Sequence, residues 1–205
     1  MKRYAIAGLA AGTAMMIGGA LAAVSSTAPS SNPALVPHSD VMNPMIGGQA
    51  MLAGRNLLDN MSASPDHASL AAAMKTSGMA DALTSSGQFT VFAPINSAMA
   101  SIPARTLDDK ARLARLMGYL VVPGKYDSQT LLKVIGEGGG QARLLTVEGG
   151  VLLARLNGPT NVILVDANGN TADISIYDVY NRNGVMHVVD RMLQPGGATP
   201  HVAAN

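Results

Sequence analysis

The sequence predicts an α+β fold, on three observations. Apolar residues recur at helical spacing through much of residues 56–135. After residue 144 the pattern turns to short strand-like runs. Among those runs stand Gly149-Gly150 and Asn168-Gly169, pairs that close two-residue hairpins. Most helices precede the strands and do not alternate with them, which argues against a regular βαβ sheet.

Composition removes several functions. With 48% hydrophobic residues in 205, one packed domain with tails is expected. Only 13% are charged and the formal charge is +1, so no basic excess exists for phosphate backbones or anionic membranes. Aromatics are 3%, without Trp, which argues against a base-stacking platform; no nucleic-acid partner is expected. The absence of Cys excludes disulfides, thiolate nucleophiles and Cys-ligated metals.

In chain order, Lys2-Arg3, an uncharged run from Tyr4 to Val24 and the small-x-small Ala20-Leu21-Ala22 predict a signal peptide over residues 1–22. The run is also long enough to span a bilayer, so the membrane is a partner only through this segment, if it stays uncleaved. Residues 23–49, rich in Ser, Pro, Asn and Gly, read as a flexible tether, 50–195 as a single domain and 196–205 as a flexible tail. Export implies a secreted or periplasmic location.

Within the domain, Asn56–Met61 is a short apolar-faced helix or turn. Ser64-Pro65-Asp66 starts the next, with Ser as cap and Pro in the first position, and Gly78 ends it. Residues 79–83 give one more turn. Thr90-Val91-Phe92-Ala93 is a buried strand stopped by Pro94, and Asn96 caps a turn running through Ile102. Thr106-Leu107-Asp108-Asp109 reads as a capping box for a helix over 107–118, with Leu113, Leu116 and Met117 on one stripe. Residues 119–122 form a strand, and Ser128 caps a helix carrying Leu131, Leu132 and Ile135. Gly136-Glu137-Gly138-Gly139-Gly140 reads as a mobile loop; it lacks the GK[ST] ending of a phosphate loop. Strands are expected at 144–147, 151–156, 162–166, 172–179 and 185–193.

Three stretches carry a resemblance. Thr90-Val91-Phe92-Ala93-Pro94-Ile95-Asn96 and Asn183-Gly184-Val185-Met186-His187-Val188-Val189-Asp190-Arg191-Met192-Leu193-Gln194-Pro195 resemble the two signature motifs of the fasciclin-type (FAS1) domain. Tyr119-Leu120-Val121-Val122-Pro123-Gly124-Lys125-Tyr126, between them, resembles its central segment. The resemblance covers about residues 54–195. It implies a wedge-shaped β-sandwich of about seven strands with helices packed on one side. It also implies an extracytoplasmic protein involved in adhesion, matrix contact or cell-surface organisation. With no residue set that supports a reaction, the expected activity is non-enzymatic recognition of an unidentified protein or cell-surface component. The family's frequent Tyr-His pair is Tyr119-Leu120 here, and no Arg-Gly-Asp occurs, so receptor contacts of animal members do not carry over.

The residues themselves point the same way. Phe92 reads as core. His187 lies in an apolar strand and reads as an imidazole held by hydrogen bonds; Asp190 is expected to bond a nearby loop or pair with Arg191. No GxSxG elbow or HExxH is present, so catalytic residues, metal ligands and cofactors are expected to be none. Asp166–Asp173 carries alternating oxygen side chains, but its glycine falls at the fourth position, so a hairpin turn is favoured over calcium. Met74, Met99 and Met117 read as core fillers or as a partner groove. The alternatives to recognition are a carrier of a small apolar ligand, lipid or pigment, in a sheet–helix cleft, and a structural subunit of an envelope assembly.

Overall fold

The computed structural model describes residues 43–84 and 87–196. The signal peptide, residues 23–42 of the tether and residues 197–205 of the tail lie outside the described residues. Residues 43–49 depart from the tether expectation. Strands β1 (Met45–Ile46) and β2 (Gln49–Ala50) form an antiparallel hairpin turning at Gly47 and Gly48, whose φ values are +60° and +75°. Ile46 is buried, and the Asn43 carboxamide bonds both backbone groups of Tyr180, at 2.6 and 2.9 Å.

Helices dominate up to residue 137. They are α1 (Leu57–Ala63), a 3₁₀ turn (Pro65–His67), α2 (Ala68–Ser77), α3 (Met79–Thr84), α4 (Asn96–Met99), α5 (Ala104–Leu107), α6 (Lys110–Tyr119) and α7 (Ser128–Glu137). Leu70, Ala71 and Met74 bury one face of α2. Gly78, at φ +83°, ends that helix in the left-handed conformation. Several caps differ from expectation. Asp109, not Thr106, caps α6, accepting from the amides of Ala111 and Arg112, because α5 consumes Thr106. Asp127, one residue before Ser128, caps α7 through the amide and hydroxyl of Thr130. The glycine cluster is a tight joint: α7 runs to Glu137, and a Cβ on Gly138 would lie 2.0 Å from the Gln141 carbonyl.

Seven strands complete the α+β fold: β3 (Phe89–Pro94), β4 (Val121–Pro123), β5 (Gln141–Leu145), β6 (Val151–Leu156), β7 (Val162–Val165), β8 (Thr171–Asn181) and β9 (Gly184–Val189). β5 starts three residues earlier than the sequence suggests, and β9 stops at Val189. The order is β4-β3-β9-β8-β7-β6-β5, antiparallel except for the β3–β9 pair. Strands β5 to β9 form a meander through the glycine turns. β8 joins two layers: its first residues pair with β7, the remainder with β9, and its pairing slips twice between Ile174 and Val179. Such bulges bend a strand. The far ends then meet, as Val147 donates to the Val121 carbonyl at 2.8 Å. Phe92, Met74, Met117, Leu131 and Leu164 fill the enclosed core with no solvent exposure, and Met99 is nearly as buried.

Candidate functional site

Each of the three motif segments contributes a strand, and the three strands are adjacent. The central one starts only at Val121: Tyr119, expected to open it, is the last residue of α6, and Leu120 caps that helix. β4 lies on one side of β3 and β9 on the other, with Phe92 opposite His187 and Phe89 opposite Gly184. All six residues of β9, Val185 and Val188 included, are buried, so this strand has two interior faces.

His187 is the centre of the junction and fully enclosed. Its Nε2 lies 2.7 Å from the Tyr126 carbonyl, and its Nδ1 accepts the Asp178 amide at 3.3 Å. These partners require a neutral ring with the proton on Nε2. The ring stacks on Phe92, centroids 5.7 Å apart, and meets Tyr177 edge-on at 5.8 Å. Burial pushes its pKa down; the Tyr126 carbonyl and the nearby Asp178 and Asp127 oppose this only in part.

Each partner is itself held. Thr90 donates its hydroxyl to the Gly124 carbonyl and accepts the Tyr126 amide, both at 2.8 Å. The first motif thereby fixes the loop after Pro123, whose Tyr126 carbonyl faces the histidine of the second. Asp178 sits in the β8 bulge at φ +58°. That backbone aims its amide at His187 and its carboxylate at the amide and hydroxyl of Ser128, the first residue of α7.

The remaining motif residues are ties of the same kind. Asn183 accepts the Leu57 amide at 2.9 Å and donates to the Leu83 carbonyl, so it caps α1 from across the molecule. Asn96 does not cap its own helix: its oxygen takes the Ser69 amide at 3.0 Å near the start of α2, and its Nδ2 donates to the Pro65 carbonyl. Asp190 accepts the Asp173 amide at 2.8 Å and faces Arg191 at 3.8 Å. Tyr119 is buried, accepts the Ala167 amide and donates to the Val151 carbonyl; burial pushes its pKa to about 12. Val91, Ala93, Pro94, Val121, Val122 and Leu193 pack inward, and Pro195 is half-buried.

Sequence reasoning missed Asp178, Asn60 and His67. Asn60 bridges Leu52 and Asn181. His67 is enclosed beside the Ser64 hydroxyl at 3.2 Å, its ring turned toward Ala93, and burial lowers its pKa. That Ser–His contact lies wholly inside the protein. Among the described residues no group of three or more His, Asp and Glu is placed to hold a metal. Asp166 spends its carboxylate on the Asn168, Asn170 and Gln194 amides and the Asn170 side chain, which makes the 166–173 segment a turn anchor.

The outer face of β5–β7 is a different surface. Register places Leu145 beside Val151, Arg143 beside Leu153 and Gln141 beside Arg155, and on the far side of β6 Leu153 faces Val165 and Arg155 faces Ile163. Leu145 is 62% exposed, Val151, Leu153 and Ile163 are half-buried, and Arg143 and Arg155 are exposed. A cleft of about 720 Å³, lined in part by Arg143, Val151 and Leu153, borders it.

A seven-stranded bent sheet with this motif junction defines a fasciclin-type module. The fasciclin-domain profile matches residues 65–195, and the chain belongs to that family. It is 32% identical over 133 residues to protein sll1483 of Synechocystis sp., covering 62% of this chain and 66% of that protein. Human periostin is 29% identical over 153 residues, covering 71% of this chain but 16% of periostin. The structure of a FAS1 domain pair from the insect cell adhesion molecule Fasciclin I superposes with a TM-score of 0.56 at 18% identity, over 68% of this chain and 50% of that one. The chain thus spans about two thirds of the Synechocystis protein and a small part of periostin.

Proposed function

We propose that this protein is a non-enzymatic, secreted or periplasmic bacterial fasciclin domain that recognises a protein or cell-surface component through the outer face of β5–β7. The observation that carries the reading is Leu145, a large apolar side chain 62% exposed, beside half-buried Val151 with Leu153 next on the same strand face, and flanked by Arg143, Gln141 and Arg155. An apolar centre with a polar rim suits protein association. Similarity to the Synechocystis protein and to a cell adhesion molecule supports the class. The motif histidine, enclosed and fully bonded, supports a structural role over a catalytic one. A carrier would instead need a closed apolar cavity; the cleft beside this face mixes Glu148, Asp166 and arginines with its apolar residues.

Native mass spectrometry of the full chain recovered from its own cells tests this. The wild type retains a protein partner, and a Leu145→Glu, Leu153→Glu variant with an unchanged melting temperature loses it. Retention by that variant contradicts the reading.

A further inference from the structure

We propose that the cleft between α5, α6 and residues 192–196 binds a small monocarboxylate with a short apolar chain or a single ring. This site lies apart from the sheet face and does not rest on it. The cleft holds about 220 Å³. Three guanidiniums line it, Arg105 from α5 and Arg112 and Arg115 from α6, and no carboxylate does. Two of the three already have a carboxylate partner just outside the lining, Glu148 for Arg115 and Asp109 for Arg112, and Arg105 has none among the described residues.

The three arginines are held differently. Arg115 is fixed, its Nε on Glu148 at 2.6 Å and one Nη2 proton on the Gly196 carbonyl at 3.0 Å. Its other N–H groups have no partner among the described residues. Arg112 pairs with Asp109 at 3.1 Å, but its side chain is 61% exposed and such surface pairs are weak, so it is available to an anion. Arg105 has no hydrogen-bond or ion-pair partner among the described residues. A planar fork matches the two oxygens of a carboxylate.

The floor dictates the rest of the ligand. Ile102, Leu116 and Met192 line it, each almost wholly buried, so their remaining exposed surface is apolar and recessed. A dry cavity of about 150 Å³ accepts benzene. The 220 Å³ here therefore suits a ring or a chain of about six carbons carrying the acid. It lies below the roughly 300–1,000 Å³ of sites for drug-sized ligands. The charged rim selects the anion over an alcohol of the same shape.

Titration of the ¹⁵N-labelled full chain with sodium hexanoate, with hexan-1-ol and with sodium chloride at matched ionic strength reads this directly. Hexanoate should give saturable amide shifts centred on Thr106, Arg112, Leu116 and Gln194, binding about tenfold or more tighter than hexanol. Arg105→Gln with Arg112→Gln changes two exposed side chains and should weaken hexanoate by about tenfold or more. Three results overturn the proposal: no saturable shifts below about 10 mM hexanoate, hexanol binding as tightly, or unchanged affinity in the double variant. The hexanol comparison uses the wild type alone and stands whatever the variant's stability.

Discussion

The junction around His187 and the outer face of β5–β7 share one sheet and obey opposite rules. In the junction every polar atom of the imidazole has a backbone partner, and a methyl group has no room: a Cβ on Gly184 would fall 1.8 Å from the Phe89 carbonyl. On the outer face Leu145 stands in solvent and side chains alternate in and out. The motifs that make the family recognisable therefore describe how the fold is tied. The outer face of β5–β7 carries no motif residue.

Substitutions should separate the two regions. Gly184→Ala, with φ +148° and a backbone clash, is expected to cost more than about 4 kcal/mol or prevent folding, as read by urea denaturation. Phe92→Ala removes a fully buried ring from the His187 stack and should cost about 3–5 kcal/mol. Asp178→Ala loses the external cap on α7 and places alanine at φ +58°; about 1–2 kcal/mol is expected. Leu145→Glu should stay within about 0.5 kcal/mol of wild type while abolishing partner retention. A large stability loss at Leu145, or none at Gly184, would break the contrast.

Acid should act on the enclosed histidines, His187 in the junction first among them. The folded-state pKa of His187 lies below the ordinary 6.5, so as pH falls the unfolded chain takes up the proton first. The histidine's stabilisation is whole above about pH 6.5 and is lost as pH falls from there through the folded value. His67 shifts in the same sense. The urea midpoint should drop between about pH 7 and pH 5, and the drop should be smaller in His187→Gln. An equal drop in both proteins would remove His187 from the account.

Local signals were the legible part. Gly78 ends α2, and Gly149-Gly150 and Asn168-Gly169 turn the meander, because each acts on its immediate neighbours. Gly47-Gly48 offered the same signal for the β1–β2 hairpin, but it was overshadowed by the Ser- and Pro-rich residues before it. Long-range ties left no local trace. Asn183 caps a helix whose first residue lies 126 positions away, and Asn96 caps α2 from 27 positions on. Asp178 reads as an ordinary strand residue until the bulge turns it. Arg105, Arg112 and Arg115 resemble solvated helix charges in sequence; only the return of residues 192–196 makes a cleft of them.

Nitrogen-15 NMR of the His187 ring across about pH 8 to 5 is the most direct test of the enclosed junction. One protonated nitrogen, Nε2, and one bare nitrogen, Nδ1, are expected, with neither signal titrating near 6.5. A midpoint at or above 6.5 would mean that the imidazole reaches solvent, and the structural reading of the motifs would fail.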